Sequence, residues 1–96
     1  MHAVVRSYSG GNASMVFDLI EGATDDVREL LGTIPGFVSY TAIRTADGGV
    51  TVTVCEDKAG TDESVKRAAA FVAERATSPI DPPMISEGDT SLHFGS

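Results

Sequence analysis

Ninety-six residues suit one domain, and a chain of that length buries about two thirds of its unfolded surface, enough for a modest core without metal or disulfide staples. Fourteen acidic residues against seven Lys and Arg leave a net charge of −7, which argues against a nucleic-acid backbone or an anionic membrane surface as partner, since both demand basic density. A single cysteine, Cys55, excludes an internal disulfide, and no apolar run approaches the length of a membrane helix.

Met1 to Tyr8 has no signal-peptide architecture, so a cytoplasmic location is expected. Within that stretch the β-branched run around Val4 and Val5, stopped by Ser9, Gly10 and Gly11, predicts a first strand. Alternation sets Val4, Arg6 and Tyr8 on one side and Ala3, Val5 and Ser7 on the other.

Val16, Ile20, Ala23, Val27, Leu30, Leu31 and Ile34 recur at helical spacing, with Asn12 or Ser14 as cap, Gly22 marking a kink or break, and Gly32 and Pro35 ending the helix. Asp18, Glu21, Asp25, Asp26, Arg28 and Glu29 form its solvated face.

Phe37 to Ala46 and Val50 to Glu56, joined by Asp47, Gly48 and Gly49, predict a hairpin with Asp47-Gly48 as loop, which pairs Arg44 with Thr51 and Ile43 with Val52. One face then carries Phe37, Ile43, Val50, Val52 and Val54 and reads as the core. The other carries Val38, Tyr40, Ala42, Arg44, Thr51, Thr53 and Cys55, a mixed surface that Arg6 and Tyr8 are expected to join.

Thr61 is the expected cap of a second helix, whose stripe of Val65, Ala68, Ala69, Val72 and Ala76 uses small residues to lie close to the sheet, with Phe71 alongside. Pro79, Pro82 and Pro83 force an extended path into a last strand from Met84 to Phe94, with a bulge or bend at Gly88. Gly95 and Ser96 read as a cloning remnant, leaving a single domain over residues 1–94.

Strand, helix, strand, strand, helix, strand is the α+β ferredoxin-like βαββαβ order: a four-stranded antiparallel sheet with two helices on one face. The uncovered face is expected to pack on a second copy through a two-fold axis, with Tyr40 in the contact. The Ile34-Pro35-Gly36-Phe37 lead-in and the proline-led last strand with Glu87-Gly88-Asp89 resemble the dimeric α/β barrel superfamily, and within it the antibiotic-biosynthesis-monooxygenase-like group. The resemblance spans residues 1–94. It implies a homodimer whose sheets face each other as a barrel, and a ligand cavity in each subunit.

It also implies a cofactor-independent oxygenase or isomerase acting on a small aromatic or quinone-like substrate. Relatives use an asparagine, tryptophan and histidine constellation. This chain has no tryptophan and one asparagine, Asn12, while Phe71 stands at the aromatic position of the second helix, so haem degradation is not expected.

His93 is the candidate general base, with His2 a second. Tyr8, Tyr40 and Arg44 are candidates to orient an anionic or phenolic ligand, with packing across a dimer the alternative for Tyr40 and Arg44, and Phe71 is a candidate pocket wall. Cys55 reads as a small hydrophobe, and no spacing supplies a metal set. No cofactor is expected. The second reading is a non-enzymatic homodimer, a small-ligand-binding or stress-related accessory module.

Overall fold

The computed structural model describes residues 1–95; Ser96, half of the pair read as a remnant, lies outside them. Strand β1 (His2–Ser9) is followed by helices α1 (Ala13–Gly22) and α2 (Thr24–Gly32), the hairpin β2 (Phe37–Thr45) and β3 (Gly48–Cys55), helix α3 (Lys58–Arg75) and strand β4 (Met84–Asp89). The sheet runs β2-β3-β1-β4, every pair antiparallel. This is the ferredoxin-like arrangement, with the first helix in two pieces. The break falls at Ala23, after Gly22, where the backbone leaves the helical region at φ −135° and α2 starts afresh with Asp25 and Asp26 in its first turn.

The hairpin turns one residue earlier than expected. Ala46 and Asp47 form the loop, and Arg44 pairs with Gly49, Ile43 with Val50 and Thr41 with Val52. The glycines flank the turn and also serve contact. A Cβ on Gly49 would strike the Phe17 ring and the Ile43 carbonyl, while one on Gly48, at φ 150°, would strike the Tyr8 carbonyl. Because the pairing moves by two residues, the faces from Ser39 onward keep the expected parity. A bulge between Phe37 and Ser39 reverses the parity before it, turning Phe37 toward the helices and leaving Val38 exposed.

The larger correction concerns which face the helices cover. They lie on the mixed face, not on the aliphatic one. Cys55 packs with Val27, Leu31, Ile34 and Phe71, while Tyr8 packs with Ala13, Val16 and Phe17. Thr51 and Thr53 are buried with them. The side left uncovered carries Val5, Ile43, Val50, Val52 and Met84, of which Ile43 is 50% and Met84 75% exposed. Tyr40 therefore lies under the helices, away from any sheet-to-sheet contact. The aliphatic pattern is equally apt for an internal core and for an intermolecular one, and the helices settle where their own partners are.

Two boundaries also differ. Helix α3 starts at Lys58, with the Asp57 carboxylate accepting from the Gly60 amide at 3.1 Å, so Thr61 is inside the first turns rather than at the cap. Strand β4 ends at Asp89, not Phe94, because its partner β1 begins at His2, which pairs with Asp89; Gly88 pairs regularly with Ala3 and makes no bulge.

Candidate functional site

Between the sheet and α3 lies a cavity of about 600 Å³. Its walls are apolar: Val65, Ala69, Val72 and Ala73 from α3, Ile80 and the prolines of the following loop, and Ile85 from β4. The alanines expected to bring α3 close to the sheet instead leave this space. Arg6 and Tyr8 from β1 form its polar inner wall, and among the described residues Asp81 is the one carboxylate that lines it.

Behind Arg6 and Tyr8 is a smaller chamber of about 20 Å³, closed by Tyr40, Thr51, Leu30, Leu31, Ala68 and Phe71. Space of that size admits one water-sized group and no ring. A third cavity of about 510 Å³ lies on the far side of Tyr40, between α1, α2 and β2.

Arg6 is placed by strand alternation. Its neighbours on the same face, Val4 and Tyr8, point the same way, and its position opposite Thr51 brings Nε to donate to Thr51 Oγ1 at 3.1 Å. Nη1 donates to the Ser64 carbonyl of α3 at 3.4 Å. Arg6 is 2% exposed, and among the described residues no carboxylate forms an ion pair with it.

Burial pushes the phenols of Tyr8 and Tyr40 above the ordinary tyrosine value, and the Arg6 guanidinium beside them offsets part of that rise. Both are therefore neutral hydroxyls near pH 7, able to accept from Arg6 and donate to a bound oxygen. Since the folded values are raised, the stability these groups contribute is present below about pH 10, the ordinary tyrosine value, and is lost as pH rises through the folded values. The urea midpoint should fall across that window, and less steeply in the Tyr8→Phe/Tyr40→Phe double variant; parallel curves would contradict this placement.

Of the residues singled out above, the structure brings Tyr8, Tyr40 and Phe71 together around the small chamber. Arg44 is elsewhere: it pairs with Asp18 at 2.8 Å and Glu21 at 2.9 Å on the surface, with its guanidinium 6.0 Å from the centre of the Phe17 ring. Those carboxylates raise its pKa further. His93 sits in the exposed tail after β4 and lines none of these cavities. His2 is buried outside them, its Nδ1 2.8 Å from Thr61 Oγ1 and its Nε2 3.6 Å from Glu87 Oε1, where it joins β1, α3 and β4. Asn12 donates Nδ2 to the Pro79 carbonyl at 2.8 Å and holds the loop that walls the large cavity.

Cys55 is fully buried, and burial pushes its thiol up, so it packs as a small hydrophobe. Sequence reasoning put Arg6 on the right face but did not single it out as a site residue. The available signal was a lone basic residue alternating with Val4 and Tyr8 in a short apolar strand.

This sheet and helix arrangement is the fold of the antibiotic-biosynthesis-monooxygenase-like proteins. No protein-family model and no curated protein matches the sequence significantly; the likeness is to solved structures. The NE2512 protein of unknown function from Nitrosomonas europaea superposes with a TM-score of 0.69 at 19% identity, over 99% of this chain and 92% of that one. The ActVA-Orf6 monooxygenase of Streptomyces coelicolor, in complex with Nanaomycin D, gives 0.64 at 25% identity over 99% and 91%. The haem degrader MhuD of Mycobacterium tuberculosis, with two haems in its active site, gives 0.67 at 15% identity over 99% and 100%.

Proposed function

We propose that this chain binds a small aromatic or quinone-like molecule in the cavity beneath α3 and acts on it as a cofactor-independent oxygenase or isomerase. The observation that carries this reading is the cavity's composition: apolar walls with polar groups from β1 gathered at the inner end. Its volume of about 600 Å³ falls within the usual range for a small-molecule site, and such a site needs only a few placed polar groups to orient its ligand. The monooxygenase ActVA-Orf6, which shares the fold at 25% identity, has a structure in complex with the ligand Nanaomycin D.

In this reading Tyr8 and Arg6 hold a ring oxygen, Tyr40 and Phe71 support them from behind, and the apolar walls exclude water from the ring. Charge that develops on the oxygen is met by preorganised donors, the most effective kind of stabilisation a site can supply. The test is oxygen uptake in an electrode with dihydroxynaphthalenes and other hydroquinones. Consumption above the uncatalysed rate, lost on heat denaturation, is expected; the uncatalysed rate with every ring system would remove the oxygenase activity.

One observation favours the second reading, a non-enzymatic ligand-binding or accessory module. The titratable side chains lining the cavity are Arg6, Tyr8 and Asp81, and no histidine is among them. His93 as base therefore stands apart from the cavity of its own chain. Saturable binding without oxygen uptake or isomerisation would select this module.

We further propose that the uncovered aliphatic face pairs with a second copy. Val5, Ile43, Val50, Val52 and Met84 share this face of the sheet, with Ser7 and Ser86 among them, and a large apolar patch is one that monomers rarely leave in water. A cytoplasmic location is consistent with this reading, and among the described residues no helix is long and apolar enough to cross a membrane.

A further inference from the structure

Six of the seven lysine and arginine side chains form ion pairs among the described residues. Arg28 pairs with Asp25, Arg44 with Asp18 and Glu21, Lys58 with Asp62 and Glu87, Lys66 and Arg67 with Glu63, and Arg75 with Asp26. The seventh is Arg6, and it is the buried one, at 2% exposure. A charge removed from water and left without a counter-charge is costly, far more so than an exposed one. The chain has fourteen Asp and Glu side chains, and among the described residues none of them forms an ion pair with it. Among the described residues the acceptors that its hydrogen bonds reach are neutral, Thr51 Oγ1 and the Ser64 carbonyl, and the two phenols beside it are kept protonated.

Arg6 also lines both the open cavity and the small chamber behind it. We propose that the missing counter-charge is carried by the ligand: the site takes a small aromatic molecule as an anion, its phenolate, enolate or carboxylate oxygen on Arg6 and its ring in the open cavity. This inference rests on the cavity being a ligand site. The chamber behind Arg6 has room for an oxygen-sized group and not for a ring, which sets the ligand's direction: charge inward, ring outward. Asp81, the carboxylate lining the cavity, repels an anion held the other way round. Tyr8 adds a hydroxyl donor to the same oxygen. The net charge of −7 gives no general attraction for anions, so selectivity for them must come from this one buried cation.

The test compares probes of one shape and different charge. By calorimetry under nitrogen, naphthoate is expected to bind at least about tenfold more tightly than neutral naphthamide, the least a specific charge-to-charge contact should give. In a second arm, para-nitrophenol is expected to show its phenolate absorbance when bound at a pH where the free phenol is mainly protonated, which separates phenolate recognition from carboxylate recognition.

Arg6→Met should erase both effects. Arg6→Lys should keep part of the preference and provides a second variant if Arg6→Met does not fold. Equal affinity for naphthoate and naphthamide, binding of neither, or a charge preference that survives Arg6→Met overturns the inference. Tight anion binding without oxygen uptake leaves it standing and removes only the oxygenase activity proposed above.

Discussion

Replacing Val52 by glutamate should turn a dimer into a monomer that is still folded. Val52 lies on central strand β3, opposite Val5 on one side and Thr41 on the other, in the middle of the uncovered face. Its side chain is only partly buried within one chain, so glutamate can point into water when the chain is alone. In a sheet-to-sheet contact the same carboxylate would be stripped of water opposite its own symmetry mate, a like-charge pair that costs several kcal/mol. Sedimentation should therefore show a single species of half the wild-type mass, with unchanged circular dichroism. An unchanged mass would mean that the contact lies elsewhere, and a monomeric wild type would remove the dimer altogether. Tyr40→Glu, which the sequence alone recommends for this purpose, should instead damage the packing of Tyr40 against the core beneath α2 and α3.

Phe17→Ala should be the most damaging single truncation in the fold and should weaken ligand binding as well. Phe17 is 1% exposed, meets Tyr8 edge to face at 6.0 Å and 84°, and fills the space that Gly49 leaves open on β3. Losing a fully buried phenylalanine costs about 3 to 5 kcal/mol, a large part of the total stability of a small domain. For a domain of this size the unfolding midpoint should drop by more than about 10 °C. Tyr8 would also lose the ring that fixes its orientation, so affinity should fall even at temperatures where the variant stays folded. A midpoint within about 2 °C of wild type would contradict the packing described here.

How much could be read beforehand follows from what each pattern physically encodes. The order of elements was legible because β-branched runs, helical spacing and glycine or proline breaks act locally, and the break in the first helix was marked by Gly22. Parity along the hairpin was legible too, since it survives a shift of two residues. The side on which the helices lie was not legible. Val50, Val52 and Val54 are equally suited to packing under a helix and to packing on a second sheet, and only the tertiary contacts of Cys55, Tyr8 and Tyr40 decide between them. The glycines after Asp47 carried a turn signal, and they also allow the close approach of Phe17 and Tyr8, which no local rule sees.

The candidate site divided along the same line. Tyr8, Tyr40 and Phe71 converge because two of them share a sheet face and the third lies on the helix above it. Arg44 shares that face but sits beside the turn of the hairpin, where Asp18 and Glu21 of α1 draw it to the surface. His93 lies beyond the end of β4, where no strand pairing holds it, so its position on a strand pattern predicted a location the sheet does not provide. Arg6 was the reverse case: it was expected on the mixed face, and because the helices cover that face the structure buries it there without a carboxylate partner among the described residues.

The most direct measurement on the cavity beneath α3 is calorimetric titration of naphthoate into wild type and into Ala69→Trp, a substitution on α3 that fills the cavity with a bulky ring and leaves Arg6 and Tyr8 in place. Saturable binding by wild type and none by a normally folded Ala69→Trp is the expected result. Equal affinity in the two proteins would contradict it and move the ligand site elsewhere on the molecule.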